Sequence, residues 1–201
     1  MEELYKGYGS SYKGRESFTK SGLKIQVVLD YLNQRLDRVD LKEGIRADQA
    51  YRDHLGDIKV NDLLIADLGY FVPESFKEIE KVGAYFLSRY KSDTNIYDTE
   101  TCAKIDIIEH LRDQTFIEKE AFLGKEAQVK VRIIAQKLTE DQSNERRRKA
   151  NKYAKSHGYT SSQKNQKLLD WSIFITNVES SKISATQILT IYKIIPIATY
   201  N

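Results

Sequence analysis

The chain has a single cysteine, Cys102, which excludes an internal disulfide and fits a reducing compartment. No apolar run approaches the ~18 residues of a membrane span, and the N-terminal stretch has no signal-peptide core, so a cytoplasmic protein without membrane contact is expected. The three histidines, His54, His110 and His157, lack metal-ligand spacing, which speaks against a zinc centre. No histidine or second thiol is placed to make Cys102 a redox or nucleophilic group, so it reads as a buried small hydrophobe. The stretch GYGSSYKG lacks the strand and helix of a phosphate loop, and no serine sits in a nucleophile elbow. No internal repeat is visible, and low complexity is confined to one arginine run.

What is present is an ordinary globular balance. Of 201 residues, 40% are hydrophobic and 30% charged, enough to bury a core without staples. The net charge of +3 says little, but its distribution says more. Arg146, Arg147, Arg148 and Lys149 follow Glu145, and Lys152, Lys155, Lys164 and Lys167 continue the series. Such a block neutralises phosphates and speeds association with nucleic acid; a solvated helix face is the competing reading.

Residues 1–22 are rich in Gly, Ser and Tyr without period and read as a loop. LKIQVVLDYL (23–32) and RLDRVDLKEG (35–44) read as two strands joined by a turn at Asn33-Gln34. RADQAYRDHL suits a short helix, in which Asp48 would be a cap. LLIA (63–66) is apolar throughout, as in a strand buried on both faces. Pro73 can begin a helix with Phe76, Ile79 and Val82 on one side, and Gly83 can close it. AYFLSRY is a further strand. Beyond it lie a short helix at DIIEHLRDQ, strands at FIEKEAFLG and EAQVKVRIIAQKL, the basic helix, a Ser/Lys/Gln loop and the strand LLDWSIFITNV. Ser184 then caps a helix that Pro196 interrupts.

The run LLIAD sets an acid, Asp67, at the end of a strand, where the sheet itself would hold a carboxylate rigidly for a divalent ion. The competing role is a turn opened by Asp67 with its side chain capping local N–H groups. IADLGYF, followed by ESFKEIEKVGAYFLSRYKSDTNIYD, closely resembles the region around the second catalytic aspartate in the "IS-four" family of DDE transposases. KGYG with GLKIQVVLDYLNQRLDRVDLKEGIRADQAY resembles the segment before it, and VKVRIIAQKLTEDQSNERRRK and LLDWSIFITNVESSKISATQILTIY resemble later parts. These stretches fall in order from about residue 5 to Tyr192.

The resemblance implies a mixed α/β fold: an RNase H-like core (1–91), a mostly β insertion domain with the basic helix (92–180) and a C-terminal core helix (181–201). It implies cleavage and strand transfer of DNA at transposon ends with Mg²⁺ (or Mn²⁺) held by two Asp and one Glu. Asp67 would be the second of those ligands. Arg89 and Lys91 would lie near the DNA backbone, joined by Arg146, Arg147, Arg148 and Lys149. Trp171 resembles a tryptophan that stacks on a flipped base, although core packing in a strand would also account for it. Tyr192 matches the first residue of a motif in which Arg, Glu and Lys follow the tyrosine.

The pattern then departs from the family. The arginine and glutamate positions of that motif hold Ile195 and Thr199, and the chain ends at Asn201. The first aspartate would lie on a strand before Met1. One carboxylate out of three implies a catalytically incomplete transposase fragment, inactive alone. The alternative is a non-catalytic module that binds DNA or associates with, and inhibits, an intact transposase protomer. Strands 23–32 and 63–67 would then flank a gap, and marginal stability is the expected consequence.

Overall fold

The computed structural model of the chain describes residues 23–44 and 47–194. The expected N-terminal loop with its KGYG stretch, the break at Pro196, and positions Ile195 and Thr199 lie outside these residues. The fold is mixed α/β, as expected, and groups into two compact units, residues 1–57 and 58–201.

In the first unit, β1 (Leu23–Asp30) and β2 (Arg35–Glu43) form an antiparallel hairpin. Its turn is where the sequence put it, with Gln34 at φ 52° and Asp30 accepting from both the backbone N–H and the side-chain amide of Asn33. The expected helix over 46–55 is replaced by two 3₁₀ turns, Asp48–Ala50 and Asp53–Asp57. Side chains in this stretch are engaged by the hairpin, which competes with helical spacing. Tyr51 donates its hydroxyl to Asp40 at 2.6 Å, Asp53 pairs with Lys42, and Asp57 pairs with Arg38 at 2.5 Å. Asp48 is not a cap: it pairs with Lys24 at 2.9 Å and accepts from Gln26 at 3.1 Å.

His54 stacks on Tyr51 with ring centroids 5.0 Å apart. Burial, and then the charge of Arg38, hold its imidazole below the ordinary 6.5. The unfolded chain therefore takes up this proton first, so stability from the group is complete above about pH 6.5 and declines as pH falls through the depressed value. Amide exchange in the hairpin should accelerate as pH falls below about 6.5, beyond the intrinsic pH dependence of exchange, and His54→Gln should flatten that excess. An unchanged profile in the variant would contradict the assignment.

The second unit is built on a seven-stranded sheet ordered β3-β4-β9-β8-β7-β5-β6. Its strands are β3 (Leu63–Ala66), β4 (Tyr85–Arg89), β5 (Ile96–Tyr97), β6 (Lys104–Ile105), β7 (Phe116–Leu123), β8 (Val129–Lys137) and β9 (Trp171–Thr176). Helix α1 (Pro73–Val82) is the crossover between β3 and β4, which run parallel with Ala66 level with Ser88. Pro73 sits in its first turn and Gly83, at φ 78°, ends it in the left-handed region, as the sequence predicts. The β3 strand is at the sheet edge and half-buried, not enclosed on both faces. The sheet continues without a break from β4 through β9 into the strands expected of an insertion.

Alternation along β4 sends consecutive side chains to opposite faces. Phe86 stacks on Phe76 of α1, with centroids 4.3 Å apart, while Leu87 joins Ile134, Phe174 and the residues Ala185, Ile188 and Leu189 of α5 (Ala185–Ile194). The two helices therefore cover opposite faces. The side-chain amide of Asn177 extends the β4–β9 pairing past the end of the ladder, accepting from Phe86 N–H at 2.8 Å and donating to the Ala84 carbonyl at 3.0 Å.

Three further α-helices lie among the described residues: α2 (Ile107–Leu111), capped by Asp106, α3 (Glu140–His157), and α4 (Gln163–Leu168). Thr139 and Gln142 form a capping box at the start of α3. A Ser162 cap makes α4 out of what the sequence suggested was only loop. Cys102 is exposed, not buried: it occupies a turn before β6 at φ 54°, its N–H bonded to the Asp98 carbonyl at 3.1 Å.

Candidate functional site

Asp67 follows Ala66 at the C-terminal end of β3, and Arg89 ends β4 at the same level, because Ala66 pairs with Ser88. Both side chains fall on the α5 face. Leu63 and Ile65 pack on the cluster of Leu87, Phe174 and Ile188, and Asp67 is two residues further along extended backbone (φ −76°, ψ 165°). Arg89 is likewise two residues after Leu87 and pairs in register with Phe174. The C-terminal ends of parallel strands are where open α/β sheets present ligand-binding groups.

Asp67 stands just before a 3₁₀ turn, Leu68–Tyr70, yet makes no side-chain capping bond; the Tyr70 N–H goes instead to the Asp67 backbone carbonyl at 2.9 Å. The local-cap role is thus not what the carboxylate does. Tyr192 of α5 packs on Phe174 with centroids 4.6 Å apart. Its hydroxyl is buried without a hydrogen-bond partner among the described residues. Burial raises the phenol to about 12; the Arg89 charge opposes that rise and the Asp67 charge adds to it. Carboxylate, guanidinium and phenol therefore share one electrostatic neighbourhood.

Arg146 reaches the same face. It donates to the Trp171 carbonyl at 2.8 Å and to Ser172 Oγ at 3.0 Å, and its guanidinium is lowered first by burial and then by the charge of Arg89. Spacing along the chain gave no sign that Arg146 and Ser172 would reach this rim, because the sequence read the basic block as one stripe. Arg147 pairs with Asp170 and donates to Asn144 at 3.1 Å. Arg148 makes two 2.9 Å bonds to Glu145, which Lys149 also approaches at 3.5 Å, and both cations are largely exposed, at 73% and 67%. So Arg146 and Arg147 tie α3 to the start of β9, while Arg148 and Lys149 face solvent.

Lys91 lies just beyond the strand and pairs with Asp93 at 3.4 Å. Trp171 is 8% exposed. It alternates with Phe174 along β9 and so lies on the face opposite Tyr192 and Arg89. The structure brings together Asp67, Arg89, Arg146 and Tyr192, and leaves Trp171, Arg148 and Lys149 outside that cluster.

Magnesium is held by oxygen ligands, and a two-metal phosphodiester site needs several converging carboxylates. Asp67 beside a guanidinium and a phenol is not such a donor set, and among the described residues no group of three or more His, Cys, Asp or Glu side chains could hold a metal ion. No described helix is long and apolar enough to cross a membrane.

Comparison with known families decides the lineage of the chain. The family model described as "Transposase DDE domain" matches residues 3–194. The chain belongs to the DDE transposase family. It is 28% identical over 213 residues to the transposase for insertion sequence element IS231B of Bacillus thuringiensis subsp. berliner, covering 96% of this chain and 45% of that protein. It is 29% identical over 194 residues to the transposase for IS1151 of Clostridium perfringens, covering 87% and 41%. A third relative, the transposase for IS231D of Bacillus thuringiensis subsp. finitimus, is 28% identical over 195 residues. These relatives are transposases of the "IS-four" group, as the sequence motifs imply. The chain spans less than half the length of each. No solved structure matches it.

Proposed function

We propose that this DDE transposase chain holds transposon-end DNA at the β3–β4 rim and does not cut it unaided. Supporting the binding half is one observation above the others. A carboxylate free of local capping, Asp67, stands level with Arg89, and both charges act on Tyr192, whose buried hydroxyl has no partner among the described residues. Arg89 gives the charge that positions a backbone phosphate, and Lys91 and the exposed Arg148 and Lys149 extend the basic surface.

The family resemblance implies Mg²⁺ or Mn²⁺ at Asp67, and the described groups around that carboxylate do not make a donor set for either ion. Supporting the inactive half is the sequence itself: the family's Arg and Glu positions after Tyr192 hold Ile195 and Thr199. The partners this reading names are DNA and an intact transposase protomer, both met in the cytoplasm.

Two measurements test this. A mobility-shift titration with element-end duplex should show binding at low salt that weakens steeply as salt rises; absence of any shift at low salt would remove the DNA reading. Supercoiled plasmid carrying the element end should stay uncut with either Mg²⁺ or Mn²⁺. Cleavage that disappears in Asp67→Asn would show the chain to be a complete nuclease.

A further inference from the structure

The segment YAKSHGY, residues 153–159, closes the basic helix and makes a surface that the rim does not use. Tyr153 and His157 are four residues apart on one side of α3 and stack with centroids 3.9 Å apart at 28°. Gly158, at φ 70°, turns the chain left-handed, and the Tyr159 N–H bonds back to the Ala154 carbonyl at 3.1 Å. This Schellman closure carries the next aromatic ring over the helix end. Tyr159 consequently meets Tyr153 edge-on, with centroids 6.2 Å apart at 71°.

These rings are not core. Tyr153 is 47% and Tyr159 51% exposed, whereas Phe76 under the sheet is 2% exposed. The charges beside them are of one sign. The acids of α3, Glu140, Asp141 and Glu145, precede Arg146, and every charged residue after it in the helix is a cation. Lys149 is one turn before Tyr153 on the same side, and the exposed Lys152 and Lys155 flank it. An exposed aromatic stack bordered by lysines matches a base face and its phosphate together, while a duplex hides its base faces inside the stack.

We propose that Tyr153, His157 and Tyr159 form a platform on which unpaired bases of a DNA strand stack, its phosphates running along Lys149, Lys152 and Lys155. The proposal rests on the DNA-binding reading above and names the part of the substrate that this end of α3 takes: the single-stranded portion of an element end.

The test is a titration of the whole chain with two probes, a blunt element-end duplex and the same duplex bearing a single-stranded tail that contains 2-aminopurine. The wild-type chain should prefer the tailed probe roughly tenfold and quench the 2-aminopurine as it stacks. The double variant Tyr153→Leu/Tyr159→Leu should lose both the preference and the quenching, with blunt-duplex affinity and thermal midpoint unchanged. Lys152→Gln/Lys155→Gln should weaken tailed-probe binding and flatten its salt dependence. Equal affinity for the two probes, a preference that survives the tyrosine changes, or equal losses on both probes would overturn the platform and leave the DNA reading standing. Failure to bind either probe at low salt would remove both.

Discussion

Replacing Arg132 by alanine is expected to destabilise the second unit by about 3–5 kcal/mol, the cost of leaving two buried carbonyls without a donor at ~1–3 kcal/mol each. Arg132 lies in the middle of β8 and is 7% exposed. Its guanidinium donates to the carbonyls of Val178 at 2.7 Å and Ile183 at 2.9 Å, both in the segment leading from β9 to α5. Its Nε lies 2.7 Å from Glu118 Oε1, a charge contact whose N–H does not point along the line to the oxygen. One side chain thus fastens two backbone acceptors that hold α5 against the sheet, and alanine would leave both without a donor. For a protein of this size the loss corresponds to a fall in thermal midpoint of roughly 6–20 °C. Glu118→Gln should cost much less, because that side chain is a third exposed and water can replace the contact. A thermal scan showing Arg132→Ala within about 2 °C of wild type would refute the strut.

Phe86→Ala should cost a similar amount, about 3–5 kcal/mol, for a different reason. Phe86 is 1% exposed and stacks at 20° on Phe76, which is itself met edge-on by Phe71 with centroids 5.1 Å apart. Removing the ring opens a cavity between α1 and β4 that neither rigid element can collapse to fill. Phe76→Ala should give a comparable loss. The double variant should lose less than the sum, by about 0.5–1.5 kcal/mol, the coupling of an aromatic pair. Strict additivity in urea unfolding would mean the two rings do not support each other.

The parts of the fold legible in sequence are those whose local chemistry and tertiary role agree. Pro73 and Gly83 bracket α1, and Phe76 and Ile79 repeat at helical spacing toward a buried face. Asp67 stood out as an acid ending an apolar strand, and it does end β3 at the rim. Residues 46–55 misled because nothing local forbids a helix; side chains there are claimed by partners on the hairpin, such as Asp40 for Tyr51 and Lys24 for Asp48. The place of Arg146 was hidden for the same reason: its partners, Trp171 and Ser172, are about twenty-five residues away in sequence. Tyr153 and Tyr159 carried a local signal, an aromatic–His pair one turn apart followed by Gly-Tyr, but thirteen tyrosines in the chain masked it.

The most direct test of the rim is DNA binding measured without divalent metal, in EDTA, as the slope of log K against log salt for an element-end duplex. Arg89→Ala should bind more weakly and lose about one unit of slope, the signature of one phosphate contact. Asp67→Asn should bind more tightly than wild type, because a carboxylate beside a phosphate repels it when no cation lies between. Curves for both variants that overlay the wild type would mean that DNA does not meet the ends of β3 and β4.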